Sequence, residues 1–171
     1  SLEIGGGLLS KFDKIYGMYK PSKSALMEAA IRKGRLRHLV GLVDRKDIRG
    51  TIKILRKKGI IWYAPDQNNK GKTIVFSPFF GIPTSTITAT TKLASITGAA
   101  VVPFTQRRLE GSDQYELTLH PAFDNFPGES ELEDANRINH FLERYLRKHP
   151  ADYLWLHQRF KTRPEGEASI Y

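Results

Sequence analysis

The run DRKDIRGTIKILRKKGIIWYA (residues 44–64) holds a helix, its stop and a strand in close succession. Asp44 reads as an N-cap for a helix over 45–58. Ile48, Ile52 and Leu55 fall at i, i+4 and i+7 and form one apolar stripe, while Arg49, Lys53, Arg56 and Lys57 lie off it. Gly59 then ends the helix. Ile60-Ile61-Trp62-Tyr63-Ala64 is short, apolar and rich in β-branched and aromatic residues, which predicts a buried strand ended by Pro65.

The same alternation extends on both sides. Upstream, Ser22 reads as an N-cap for a helix to about Lys33. Downstream, Thr73–Phe76 reads as a strand and Thr84–Thr97 as a Thr-rich helix carried by Ala89, Leu93 and Ala94, with Gly98 as its stop. Ala99–Phe104 reads as a second buried strand with Arg107-Arg108 past its carboxyl end, and Tyr115–His120 alternates as a half-exposed strand. Glu131–His149 is the longest expected helix, with Leu132, Ala135, Ile138, Leu142 and Tyr145 facing the core. A short helix is expected over Asp152–Phe160, and a tail from Arg163. Helix, buried strand, helix, buried strand predicts an α/β fold, with a mostly parallel or mixed central sheet covered by helices. Sites in such sheets form at the carboxyl ends of strands, which puts Asp66-Gln67 and Arg107-Arg108 on one candidate edge.

Composition narrows the function. The 171 residues make one domain's length, and 40% hydrophobic with 26% charged residues excludes general disorder. Without cysteine there is no disulfide scaffold, thiolate metal site or cysteine nucleophile. No apolar run reaches the length of a spanning helix. The five histidines form no metal-ligand pair, no Ser-His spacing marks a nucleophile elbow, and neither metal nor cofactor is expected. His157 reads as a packed or hydrogen-bonded histidine. The net charge of +9 is concentrated: residues 1–72 hold 17 Lys/Arg against 6 Asp/Glu, and the remainder is slightly acidic. A basic half of this size points to an anionic partner: nucleic acid, phosphorylated lipid or an acidic carrier protein; a solvated basic face is the plainer alternative. Nucleic acid has only the charge in its favour.

Four clusters are candidates for chemistry. Glu3 stands beside Gly5-Gly6-Gly7; it is either an acid that orients a base or a solvated charge, and the glycines lack the Gly-Lys-Ser/Thr ending of a phosphate loop. Tyr19-Lys20-Pro21 and Gly34-Arg35-Leu36-Arg37 form the second. On an extended segment, Arg35 and Arg37 would point the same way and clamp one anion; surface charge is the alternative. Asp44–Gly50 puts Arg45 and Lys46 at a helix N-terminus, either as an anion site or as capping and pairing alone. Trp62–Gln67 ends a strand in Pro-Asp-Gln, an exposed polar edge or a plain turn.

Taken in order, SLEIGG (1–6), YKP (19–21), GRLR (34–37), DRKDIRG (44–50), WYAPDQ (62–67), FSPFFG (76–81), VVPF (101–104) and DYLWLHQRFKTRPEG (152–166) resemble the lipid A biosynthesis acyltransferases, the lauroyl/myristoyl transferases of Gram-negative bacteria. The resemblance runs from end to end and implies a glycerolipid-acyltransferase-like fold. It implies transfer of a fatty acyl chain from acyl carrier protein to a hydroxyacyl group of a Kdo-modified lipid IVA precursor, at the cytoplasmic face of the inner membrane. The implied partners are the acyl-acyl carrier protein donor, the phosphorylated lipid A precursor and the membrane surface, not nucleic acid.

The family's signature is His, four residues, then Asp or Glu, in which the histidine is general base and the acid orients it. Glu3 matches that acid, and the histidine would lie three residues before Ser1. The expectation is therefore one acyltransferase domain over 1–171, N-terminally incomplete, without the family's anchor and inactive by itself. Arg35 is implied as the catalytic-pocket arginine. Tyr19 and Lys20 would contact the acceptor, with Lys20 where many relatives carry Arg. Asp66 and Gln67 occupy the third acyltransferase block. By charge, Arg37, Arg45 and Lys46 would meet acceptor phosphates or the carrier protein. Phe76, Phe79 and Phe80 would line an acyl groove or belong to the core. A glycerolipid acyltransferase usually carries an acidic-Gly-Thr-Arg block where this chain has Ala64-Pro65-Asp66-Gln67, which weighs against that alternative. A basic nucleic-acid-binding module is the alternative from another class.

Overall fold

The computed structural model describes residues 2–171. In chain order the elements are α1 (Leu2–Leu9), β1 (Ile15–Tyr19), α2 (Ala25–Arg35), β2 (Gly41–Asp44), α3 (Ile48–Arg56), β3 (Ile60–Trp62), β4 (Ile74–Phe79) and β5 (Ile82–Ile87). They continue with α4 (Ala89–Thr97), β6 (Phe104–Arg108), β7 (Tyr115–Leu119), α5 (Glu131–Leu146) and two 3-10 turns, Pro150–Asp152 and Trp155–His157. These fall into two compact units. The first comprises residues 1–63, 96–99 and 103–121, the second 64–95, 100–102 and 122–171.

The α/β expectation holds, and a parallel sheet is present. It is small: three strands in the order β2-β1-β3, with Tyr19 opposite Asp44 and Gly17 opposite Trp62. The other strands form two antiparallel hairpins, β4-β5 and β6-β7. In the first unit Leu9, Ile15, Leu39 and Trp62 make the core, with Leu42, Phe104 and Leu117 packed against it. The glycine run proves helical. A Cβ on Gly6 would lie 2.8 Å from the Trp62 ring, so α1 seats directly on Trp62 because no side chain intervenes. Glycine's poor helix propensity hid this element from the sequence reading.

Several expected boundaries move. Ser24, not Ser22, caps α2, accepting from Met27 N at 3.4 Å. Asp47, not Asp44, caps α3, accepting from Gly50 N at 2.8 Å. Asp44 ends β2 and its carboxylate accepts from Lys46 N, so Arg45 and Lys46 occupy the turn before α3 and not a helix N-terminus. The helix stops at Arg56, with Lys58 already left-handed at φ 61°. Thr84–Thr97 divides: its β-branched first half pairs with β4, and the helix starts only at Ala89. Gly98 does end it, at φ 67°. Ala99–Phe104 is not a strand; Pro103 lacks the N–H a ladder needs, and β6 begins at Phe104. Arg107 and Arg108 therefore lie within β6, paired with Glu116 and Asp113, not beyond a strand end. Asp152–Phe160 is two separate 3-10 turns, because Tyr153 is extended and Gln158 left-handed.

In the second unit Phe79, Leu146 and Tyr153 form the core with Phe80, Leu142, Tyr145 and Phe160. Phe79 is wholly buried, so it is core and not a groove wall. Leu132, expected inside, is exposed. Ser130 caps α5, accepting from Glu133 N at 3.1 Å. Phe80 and Gly81, both at positive φ, close the β4-β5 hairpin as a two-residue turn.

Behind this core the Arg159 guanidinium is fully buried. It donates to the Gln67 and Ser85 carbonyls, to Thr86 Oγ1 at 3.0 Å and to Asn139 Oδ1 at 3.4 Å, and it lies 5.6 Å over the Phe79 ring. Asn139 in turn donates to Ser77 Oγ and Thr86 Oγ1. Burial lowers the Arg159 pKa from its usual value, and Tyr153 and Asp66 oppose that shift. Removing this side chain leaves several buried acceptors without a donor, each costing about 1–3 kcal/mol. Arg159→Ala is therefore expected to lower the unfolding free energy by about 3 kcal/mol or more in urea titration. Arg159→Lys should recover only part of it, since one ammonium cannot span the same acceptors.

Candidate functional site

The parallel strands of the first unit all end on one edge, where the chain places Tyr19-Lys20 and Asp44-Arg45-Lys46. Arg45 N donates to the Tyr19 carbonyl at 2.9 Å, which fixes these two segments side by side. Lys20, Arg45 and Lys46 are exposed there. The helix α2 runs from this edge, and Glu28, Arg32 and Arg35 fall at i, i+4 and i+7 on its inward side.

Arg35 meets Glu3 of α1. Its Nη2 lies 2.6 Å from Glu3 Oε1, and its Nε lies 3.2 Å from both carboxylate oxygens. The arginine side chain is 13% exposed and the glutamate 62%, so a largely covered cation holds a carboxylate that opens to solvent. The Arg35 guanidinium also sits 5.5 Å over the Tyr19 ring. The structure thus brings together Glu3, Arg35 and Tyr19.

Tyr19 is held in turn by two residues that the sequence reading missed. Its hydroxyl donates to Glu28 Oε1 at 2.5 Å and accepts from Arg32 Nη1 at 3.1 Å. Glu28 Oε2 accepts from Ser22 N at 2.8 Å. Burial, then the bond to Glu28, raises the Tyr19 pKa, and Arg32 opposes the shift. The Tyr19 hydroxyl and the Ser22 amide lower that of Glu28. The i, i+4, i+7 ladder of charges was the available signal.

The other candidate residues lie elsewhere. Arg37 lies in the turn after α2, exposed, and not on an extended segment with Arg35. Near a helix end, positions two apart differ by about 200° around the axis, so the pair does not clamp one anion from the same side. Asp66 and Gln67 lie in the second unit, in irregular chain after β3. The Tyr153 hydroxyl donates to the Asp66 carbonyl at 2.9 Å, and Arg159 donates to the Gln67 carbonyl. Burial, then the Asp66 charge, raises the Tyr153 pKa. His157 lies 3.3 Å from the Tyr153 hydroxyl and beside the Leu154 carbonyl, as a hydrogen-bonded histidine. Among the described residues no group of three or more His, Asp or Glu could hold a metal.

An acid and an arginine from two helices thus pair in the unit whose parallel strands end on a basic edge. A family model for the bacterial lipid A biosynthesis acyltransferases matches residues 1–162, and the chain belongs to that family. It is 37% identical to the lipid A biosynthesis lauroyltransferase of Escherichia coli K12 over its whole length, and 34% identical to the palmitoleoyltransferase of the same organism. A lipid A biosynthesis acyltransferase of Haemophilus influenzae is 35% identical, again across the whole chain. The chain spans 56% of the length of each of these relatives.

The lowered Glu28 pKa carries a definite pH dependence. A carboxylate whose folded pKa lies below its unfolded value, about 4.3, stabilises the fold above that value and loses the contribution as pH falls through the folded pKa. The stability difference between wild type and Glu28→Gln, read by denaturant titration, should hold near neutral pH and shrink through the acid range below about pH 4.

Proposed function

We propose that this chain is part of an enzyme that moves a fatty acyl group from acyl carrier protein to a hydroxyacyl group of a Kdo-modified lipid IVA precursor. The observation that carries the reading is the Arg35–Glu3 pair at 2.6 Å beside Tyr19, at the positions where the family motif requires an acid and an arginine. In acyl transfer the acceptor hydroxyl attacks the thioester carbonyl, its proton passes to a general base, and the carrier thiol leaves. Glu3 is the acid that orients the base and stabilises its cationic form. Arg35 fixes the Glu3 carboxylate by a two-point contact and adds positive charge where the oxyanion or an acceptor phosphate develops its charge.

Tyr19 and Lys20 contact the acceptor. Lys20, Arg45 and Lys46 bring three cations to one strand edge, and Arg37 adds a fourth beyond α2, suited to a phosphorylated glycolipid. Asp66 and Gln67 contribute as the third acyltransferase block. Work at the inner-membrane face is supported by the outward side of α2. Leu26 is 80% and Met27 54% exposed there, between Lys23 and Lys33, a pattern that suits a lipid surface.

The test is acyl transfer by the full-length gene product, with acyl carrier protein as donor carrier and the phosphorylated precursor as acceptor. Glu3→Ala and Arg35→Ala should each reduce the rate by about 10²-fold or more with the circular dichroism spectrum kept, and Arg35→Lys should fall between. Near-full rates for both alanine variants, or a preference for lysophosphatidate as acceptor, would overturn the assignment.

A further inference from the structure

The cations on the outer side of α3 have no role in the site described above. Arg49, Lys53, Arg56 and Lys57 are all exposed and lie within about a third of the helix circumference, with half-buried Ile52 at their margin. Thr51, Ile54 and Leu55 turn the other way. These same five residues, Arg49, Ile52, Lys53, Arg56 and Lys57, line an open hollow on the surface.

Three observations bear on this ridge. Elsewhere the described ion pairs engage Arg35, Lys92, Arg107, Arg108, Arg137, Arg147 and Arg163, and among the described residues no ion pair involves any cation of α3. The nearest acid, Asp47, is committed to Gly50 N as the helix cap. Arg49–Lys53 and Lys53–Lys57 are like charges at i, i+4, an arrangement that destabilises a helix, and Arg49 stands in a first turn that holds no acid. The like charges therefore add a small repulsion along this face that a bound anion would lower.

The shape selects among anions. The four side chains run along roughly 10 Å of helix axis and do not converge on one point, so they do not cradle a single phosphate. Ile52 in the hollow gives the ridge an apolar margin with cations beside it, the make-up of a protein-protein contact. An acidic helix with carboxylates at i, i+4 and i+7 matches that spacing one turn at a time. The ridge also begins three residues after Lys46, at the strand edge that Tyr19 shares.

We propose that the outer face of α3 is the docking surface for an acidic helix of the protein that carries the acyl donor. This rests on the acyl carrier protein reading above, and it assigns that partner a place on the chain.

Two measurements on the full-length protein test it. In the first, fluorescently labelled acyl carrier protein is titrated with wild type and with Lys53→Glu/Arg56→Glu. Affinity should fall about tenfold or more in the variant and fall with added salt in the wild type. A neutral pair, Lys53→Gln/Arg56→Gln, should give an intermediate loss with an unchanged circular dichroism spectrum, which separates docking from misfolding. In the second, steady-state kinetics should show a raised KM for the carrier-bound donor, with kcat and the acceptor KM unchanged. Unchanged carrier affinity overturns the proposal. So does an effect on the acceptor KM alone, which marks a lipid-phosphate site, or equal displacement of the carrier protein by duplex DNA, which marks a general polyanion surface. If wild type transfers no acyl group, the functional reading fails; the binding titration still decides the docking surface.

Discussion

Carboxylates are scarce in the first 72 residues, and that scarcity governs this basic stretch. Six acids face 17 Lys and Arg. Asp13, Asp44 and Asp47 are committed to backbone N–H groups in turns and a helix cap. Glu28 ties the end of β1 to α2 through the Tyr19 hydroxyl and the Ser22 amide. Among the described residues of this stretch, Glu3 is the acid that forms an ion pair with a basic side chain, Arg35. The remaining cations therefore face outward without an internal counter-charge. Lys20, Arg45 and Lys46 lie along the strand edge and Arg49, Lys53, Arg56 and Lys57 on the outer face of α3, and a positive surface of this kind attracts anionic ligands and speeds their capture.

The second unit solves a different problem. Its notable cation, Arg159, is buried; its two terminal nitrogens donate to carbonyls, a hydroxyl and an amide oxygen while its Nε has no partner, and it lies over Phe79. Taking a guanidinium out of water is expensive, and the neutral acceptors offset only part of that cost. What the arrangement provides is convergence. Gln67, Ser85, Thr86 and Asn139, from a loop, a hairpin and α5, all meet one fork. Arg163 adds a bond to the Pro83 carbonyl at 2.6 Å. The long stretch over residues 152–166, which looked like a signature, fastens the β4-β5 hairpin and holds the Asp66-Gln67 loop through Tyr153.

How far the sequence could be read followed the physics of each segment. The strands β3 and β7 and the helices α2, α3 and α5 were legible because their apolar spacing is regular and tertiary packing does not override it. The helix α1 was not, since three glycines argue against a helix until Gln106 is there to meet Gly5 and Trp62 to meet Gly6. Thr84–Thr97 carried no periodicity able to separate a strand from a helix, and only pairing with β4 decided it. In the site, Glu3, Tyr19 and Arg35 came from motif order alone. Glu28 and Arg32 recur at helical spacing with Arg35 but were masked by the surrounding charge. The pairing of Arg37 with Arg35 failed because its expected geometry assumed an extended backbone where the helix continues to Arg35.

The helical backbone there bears on the role proposed for Arg35. A clamp formed by Arg35 and Arg37 would have bound an anion with two loosely held side chains. Instead one guanidinium is fixed twice, by Glu3 along its Nε–Nη2 edge and by the Tyr19 ring against its face. Both contacts reduce the rotamer freedom that arginine would otherwise lose on meeting a substrate. A preorganised cation stabilises developing negative charge without reorganising at the moment of reaction. The planar fork is what allows the two contacts at once, which a lysine at position 35 could not reproduce, whereas the exposed Lys20 is held by no such pair of contacts.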